Sequence, residues 1–231
     1  MKRFYKQTEV SPAEGGWQVT LDGRGVKTQG KRAQVVPGEA LARAMAAEWQ
    51  DQGEEIDPAR FVLRDMADYA IDVIAADRAD AIRALVPYAE TDTLCYRAEP
   101  GEALARRQAE VWEQLLTAAE SRWNLRFERV SGIMHRPQPE ATIAALRSVL
   151  EGKDEFTLAA LRSLAGISAS LTIALLAAEG AYPAETLWQA SELEELYQAE
   201  LWGRDAEAEA RQAKRFRDFE AAMRFAAMVR G

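Results

Sequence analysis

The sequence has almost no cysteine or histidine. One cysteine, Cys95, in 231 residues cannot close an internal disulfide, which suits a reducing compartment. One histidine, His135, excludes a multi-histidine metal site, so neither metal nor cofactor is expected. Positive charge is in deficit: 29 Lys and Arg against 37 Asp and Glu leave −8, the wrong sign for non-specific nucleic-acid binding. Long hydrophobic runs are missing too. The longest uncharged apolar stretch, from Ser163 to Ala178, has 16 residues and is broken by Ser168, Ser170 and Thr172. A spanning helix wants roughly 20 mostly apolar residues, so no membrane insertion is expected and the segment reads as the buried central helix of a bundle. No apolar h-region follows Met1-Lys2-Arg3, and Glu9 and Glu14 come early, so neither a secretory signal nor a transit peptide is expected. The chain has no Gly-x-x-x-x-Gly-Lys-Ser/Thr run to cradle a phosphate. Gly23-Arg24-Gly25 with Gly30 has the wrong spacing for a dinucleotide fingerprint and reads as a hairpin turn.

Enough remains to build a substantial core. The chain is 48% apolar, and its length suits one large or two small domains. Its first 36 residues carry seven Lys or Arg against three Asp or Glu, and read as short strands: Phe4-Tyr5, Trp17–Leu21, Val26-Lys27-Thr28 and Gln34-Val35-Val36. Glu14-Gly15-Gly16 and Asp22-Gly23 are hairpin signals between them. Beyond Pro37 the pattern turns helical. Alanine supplies 44 residues, and it is the best helix former. Leu41, Met45 and Trp49 repeat every four residues, and Asp57-Pro58 announces a second helix with Met66, Tyr69, Ala70 and Val73 inward. A helix opens after Pro100, a short strand is expected at Leu125–Arg129, and a helix runs from Pro139 to Gly152. Further helices are expected from Asp154 to Gly180, from Pro183 to Gly203 (with Leu187, Trp188, Leu193, Leu196, Tyr197 and Leu201 inward), and from an Asp205 cap to the end. The predicted class is α+β: a small basic β-rich domain over 1–65 and a larger helical domain over 66–231.

Catalytic constellations are sparse. Cys95 would need a base, and His135, in a Pro-flanked turn, is the only histidine that could serve. A small helical thiol enzyme or hydrolase using Cys95 is the alternative reading; an inert buried thiol is preferred. Glu192, Glu194 and Glu195 read as a solvated helix face. Charge layout says more. Glu179 to Glu209 holds nine acidic residues and one basic one, whereas Arg211 to Gly231 holds six basic and two acidic. The last two helices either pair with each other or offer an acidic docking surface to a protein partner. Trp49 and Trp112 read as fold residues, and Trp202 beside Gly203 as the tryptophan nearest a surface feature.

An ordered set of short motifs then converges on one family. Arg3-Phe4-Tyr5-Lys6 is followed by Val19-Thr20-Leu21-Asp22-Gly23-Arg24 and Val26-Lys27-Thr28. Ala47-Glu48-Trp49, Gln52, Ile56 and Pro58 come next, then Ala70-Ile71-Asp72 and Thr91-Asp92-Thr93-Leu94-Cys95-Tyr96-Arg97. Gln108 and Trp112 precede a last block, Leu193-Glu194-Glu195, Gln198 and Trp202-Gly203-Arg204-Asp205 with Glu207-Ala208. The set resembles the "ATP-twelve" family, assembly chaperones of the ATP synthase catalytic sector that attend the α subunit. Phe61-Val62-Leu63 and Gln29 depart from the family pattern at structural positions. The resemblance implies a non-enzymatic, ATP-independent chaperone. It would bind the new α subunit, shield apolar surface that the β subunit later covers, and release it by exchange. It implies partner-binding residues at Glu194, Glu195, Asp205 and Glu207 around Trp202, the stretch that the charge layout marks independently. A monomer in the bacterial cytoplasm is expected, or in the mitochondrial matrix for a eukaryotic mature form.

Overall fold

The computed structural model describes residues 1–132, 136–203 and 205–231. The architecture is α+β, as expected, and divides into two compact units. The first comprises Met1–Asp80, Asp154–Ala160 and Arg224–Gly231; the second comprises Ala81–Lys153 and Leu161–Met223.

The first unit is built on an antiparallel sheet of β1 (Thr8–Ala13), β2 (Gly16–Leu21), β3 (Arg24–Gly25) and β4 (Val35–Val36), with β1 and β3 on opposite sides of β2 and β4 also pairing with β2. Both hairpin signals hold. Ala13 pairs with Gly16 around Glu14-Gly15, and Leu21 pairs with Arg24 around Asp22-Gly23. In the second turn Asp22 and Gly23 both have positive φ, +49° and +75°, as a two-residue type I′ loop requires. The Asp22 carboxylate also accepts the amides of Lys6 (3.0 Å) and Gln7 (2.8 Å), and those bonds hold its pKa below the usual carboxylate range. The first strand is not Phe4-Tyr5 but Thr8–Ala13, which contains Pro12. Its place at the edge of the sheet lets Pro12 stand there without an amide to donate. Val26-Lys27-Thr28 forms only a bridge from Lys27 to Ala33.

Helix α1 (Glu39–Gln50) buries Leu41, Met45 and Trp49, the predicted stripe. Its Glu48 caps the next helix, α2 (Val62–Tyr69), by accepting the amides of Leu63 (2.7 Å) and Arg64 (2.9 Å). The inner face of α2 is Leu63, Ala67 and Asp68, continued by Ala70 and Ile74; Val73 is half exposed. Two features shift the face from Met66, Tyr69 and Val73. Residues Ala70–Ile74 form a π turn, which takes an extra residue per turn, and the inward Asp68 is invisible to a hydrophobic pattern. Asp68 and Asp72 hold the loop after β3. Asp68 accepts from the Gln34 side chain and the Gln29 amide; Asp72 accepts from the Thr28 hydroxyl (2.8 Å) and the Gly30 amide (2.7 Å).

The helices that follow are α3 (Arg78–Leu85), α4 (Pro87–Glu90), α5 (Ala103–Trp123), α6 (Glu140–Glu151), α7 (Glu155–Ser168), α8 (Leu171–Ala178), α9 (Ala184–Ser191), α10 (Leu193–Trp202) and α11 (Ala206–Arg230). The strand expected at Leu125–Arg129 is instead irregular. Glu120 of α5 takes the Phe127 amide (2.9 Å) and pairs with Arg129, so side-chain bonds replace a ladder there. Pairing begins one residue later, in a parallel pair of β5 (Tyr96–Arg97) and β6 (Val130–Ser131). The helix expected from Asp154 to Gly180 is two, α7 and α8. Ala169, at φ +50°, breaks it. Asp92 holds the break: fully buried, it accepts from the Ser170 hydroxyl (2.6 Å) and from the amides of Thr172 (2.9 Å) and Leu94 (3.1 Å). Ser170 in turn caps α8 through the Ile173 amide.

Asp92→Ala leaves those donors buried and unpaired, at about 1 kcal/mol or more each. A thermal melt followed by circular dichroism should show Tm lower by about 6–12 °C. An unchanged Tm would show that the break between α7 and α8 does not rest on Asp92.

Candidate functional site

The acidic stretch lies in the second unit, on α9, α10 and the first half of α11. A single helix was expected from Pro183 to Gly203, but Glu192, at φ −98° and ψ 11°, separates α9 from α10. Glu192 is not on a solvated face; it is 3% exposed. Arg215 of α11 meets it at 3.0 Å, gives a second hydrogen bond to the Ile167 carbonyl (2.8 Å), and lies over the Trp188 ring at 5.4 Å. Trp188 also packs on Phe216 and Phe219. Contacts pair 192 with 215 and 188 with 219, so α11 runs back antiparallel beside α9 and α10. The opposed charges of the two stretches therefore meet, but at one buried ion pair.

The remaining acids stay outward. Gly203 ends α10 at φ +87° and ψ 172°, a conformation essentially confined to glycine. Asp205 caps α11 through the Ala208 amide (3.1 Å), as predicted. At this turn Leu201 is 57% and Trp202 77% exposed. Leu201 was expected to face inward with Leu196 and Tyr197; the end of α10 instead carries it into solvent beside Trp202. A shallow recess of about 390 Å³ adjoins them, lined by Glu195, Gln198, Trp202, Asp205, Glu209 and Gln212. Glu195, Trp202 and Asp205 are thus brought together. Glu194 points elsewhere and accepts from Gln108 of α5 (2.6 Å), whereas Glu207 pairs with Arg211 one turn on (2.7 Å). What the arrangement can do is bind: an exposed apolar pair is rimmed by carboxylates, a pattern suited to a partner with an apolar patch and basic surroundings.

Other readings find no comparable support. Cys95 is fully buried, and burial, with Asp92 nearby, pushes its thiol pKa far up, the reverse of an activated nucleophile. His135 lies outside the described residues. Among the described residues no helix is long and apolar enough to cross a membrane.

Burial and the neighbouring Glu195 carboxylate raise the Glu192 pKa to about 7, against the pull of Arg215. The folded state then holds this proton more tightly than the unfolded chain. Its stabilising contribution is complete below about pH 4.5 and is lost as pH rises through about 7. Glu192→Gln keeps the site neutral at every pH. Between pH 5 and 8, calorimetric melts should show the parent losing about 3–6 °C more in Tm than the variant. Parallel pH profiles would contradict the assignment.

Three comparisons bear on what this surface belongs to. A family model described as ATP12 chaperone protein matches residues 2–120. The crystal structure of Atp12 from Paracoccus denitrificans is 37% identical, with a TM-score of 0.92 over 99% of this chain and 98% of that one. A point mutant of the same Atp12p gives the same identity and TM-score over 99% and 97%. The Atu1473 protein from Agrobacterium tumefaciens is 36% identical, with a TM-score of 0.94 over 99% of this chain and 86% of that one. A match of this extent, on an α+β frame whose motifs fall in the same order, means that the chain belongs to the ATP12 chaperone family.

Proposed function

We propose that this protein is an ATP-independent chaperone for the α subunit of ATP synthase. It holds the newly made subunit, covers apolar surface that the β subunit later occupies, and yields it by exchange during assembly of the catalytic sector. It acts as a monomer in the bacterial cytoplasm. The observation that carries the reading is the exposed Leu201-Trp202 pair beside Glu195 and Asp205, in a member of a chaperone family. Few large apolar side chains of the described residues are exposed to this degree, and here two are adjacent. Isolated exposed apolar groups need no explanation, but a paired and acid-rimmed one marks an interaction surface. Holding an apolar interface requires contact area and a rim that keeps the free chaperone soluble; the carboxylates supply that rim. The sequence also lacks a phosphate-cradling loop, in keeping with release by competition rather than nucleotide turnover.

The five residues implied by the family resemblance divide under this reading. Trp202 is the anchor, and Glu195 and Asp205 flank it. Glu194 and Glu207, each held by a neighbour within the chain, contribute charge at the margin. Titration calorimetry against isolated α subunit tests this. Trp202→Ala and Glu195→Lys should each weaken binding about ten-fold or more, and Glu194→Gln by less than about three-fold. Circular dichroism should stay that of the parent, because Trp202 and Glu195 are exposed. Unchanged affinity in both Trp202→Ala and Glu195→Lys would overturn the placement. Cys95→Ala should bind as the parent does.

A further inference from the structure

A groove in the first unit has the opposite electrostatic character. Its volume is about 580 Å³, within the range of ligand-holding clefts. The lining includes Phe4, Trp49, Val26, Arg24, Lys27 and Arg64. Trp49 is buried beneath Tyr5 and Phe61, which meet its ring at centroid distances of 5.5 and 4.5 Å. Phe4 stands 63% exposed. The groove therefore offers aromatic surface at its base and at its mouth.

Its polar character is that of a donor. Two carboxylates line it, and both are occupied: Asp22 accepts the amides of Lys6 and Gln7, and Asp68 accepts from Gln34 and Gln29. Arg64 is tied to Asp65 and lies over the Phe61 ring at 4.0 Å. Arg24 and Lys27 are exposed and have no acidic partner among the described residues. The buried indole N–H of Trp49 has no acceptor among them either. Uncompensated cations and an unmatched donor around an aromatic floor select an occupant that carries acceptors, negative charge and an apolar group. Backbone geometry narrows the class further. Arg24-Gly25 is strand β3, the end of the path β1-β2-β3, and its paired neighbour is β2. Its other edge is available to an extended chain, which gives a peptide main-chain bonds that a small anion cannot use.

We propose that this groove docks an extended acidic peptide segment of a partner protein, with one large apolar side chain seated against Phe4 and Trp49 and its carboxylates on Arg24 and Lys27. The site is separate from the Trp202 surface and does not depend on its assignment. Such a segment is what a folding or partly assembled chain presents before its own strands are paired.

Fluorescence polarisation with the full-length protein tests it. The probes are labelled octapeptides with Glu flanking a central residue varied among Phe, Trp, Leu and Ile, with matched peptides carrying Ala at the centre or Lys in the flanks. At least one acidic apolar peptide should bind saturably. Arg24→Glu combined with Lys27→Glu should weaken it at least ten-fold at an unchanged Tm, and both control peptides should bind at least ten-fold more weakly. Glu195→Lys should leave it unaffected, which separates this groove from the acidic surface. The proposal is overturned if no peptide of the set binds, or if the double variant binds as the parent does. It is equally overturned if inorganic phosphate displaces the peptide at comparable affinity, which would mark a small-anion site. Self-association of the parent that the double variant abolishes would assign the groove to a second copy and also overturn it.

Discussion

The Arg215 guanidinium holds several elements of the second unit at once: the Glu192 carboxylate between α9 and α10, the Ile167 carbonyl near the end of α7, and the Trp188 ring. Without it, the most acidic segment of the chain would have no fixed place. A carboxylate that is 3% exposed is costly unless it is paired, neutralised or both, and Glu192 uses both routes, through Arg215 and through a raised pKa. The consequence for function is geometric. With α10 pinned at its first turn and α11 laid back along it, the far end of α10 projects Leu201 and Trp202 outward, and Gly203 turns the chain before the Asp205 cap can form. An apolar pair at such a tip is exposed because both flanking helices are fixed, not because the segment is loose.

Carboxylates serve this molecule in two separate ways. One set is structural and inward: Glu48 caps α2, Asp68 holds the loop after β3, Asp92 holds the break before α8, and Glu192 anchors α11. Burial raises the pKa of every one of them. The other set lies on the surface, where Glu195 and Asp205 border the recess beside Trp202. Net charge counts the two alike, yet only the second contributes to the field a partner meets. The basic groove of the first unit adds a contrasting field, so a chain of net charge −8 presents sites of both signs.

Much of this was legible in the sequence where one signal dominated. The Asp22-Gly23 hairpin, the Leu41–Met45–Trp49 stripe and the Asp205 cap each follow from local chemistry acting within a few residues. So does the exposure of Trp202 beside a helix-ending glycine. The misreadings share one cause: a long-range polar contact that pattern does not encode. Ala169 takes a positive φ in an alanine-rich helix because Asp92, 78 positions before Ser170, holds the cap there. Glu192 reads as one more solvated acid until Arg215 is brought to it across 23 positions. Glu120 takes the Phe127 amide and so moves the strand to Val130–Ser131. The inward Asp68 and the π turn after it displace the α2 face for the same reason. At the candidate site, the stretch was legible from charge layout and motif order, but which acids share the recess was not. That depends on the helix break at Glu192, which sets the rotation of α10.

The most direct test of the central claim is light scattering from isolated ATP synthase α subunit, with no nucleotide present, as this protein is added. The account predicts that near-stoichiometric amounts of the parent suppress aggregation, and that Trp202→Ala, equally folded, suppresses it much less. Equal suppression by parent and variant would remove the function from the Trp202 surface. Failure of the folded parent to suppress aggregation at any ratio would contradict the proposal that the α subunit is its client.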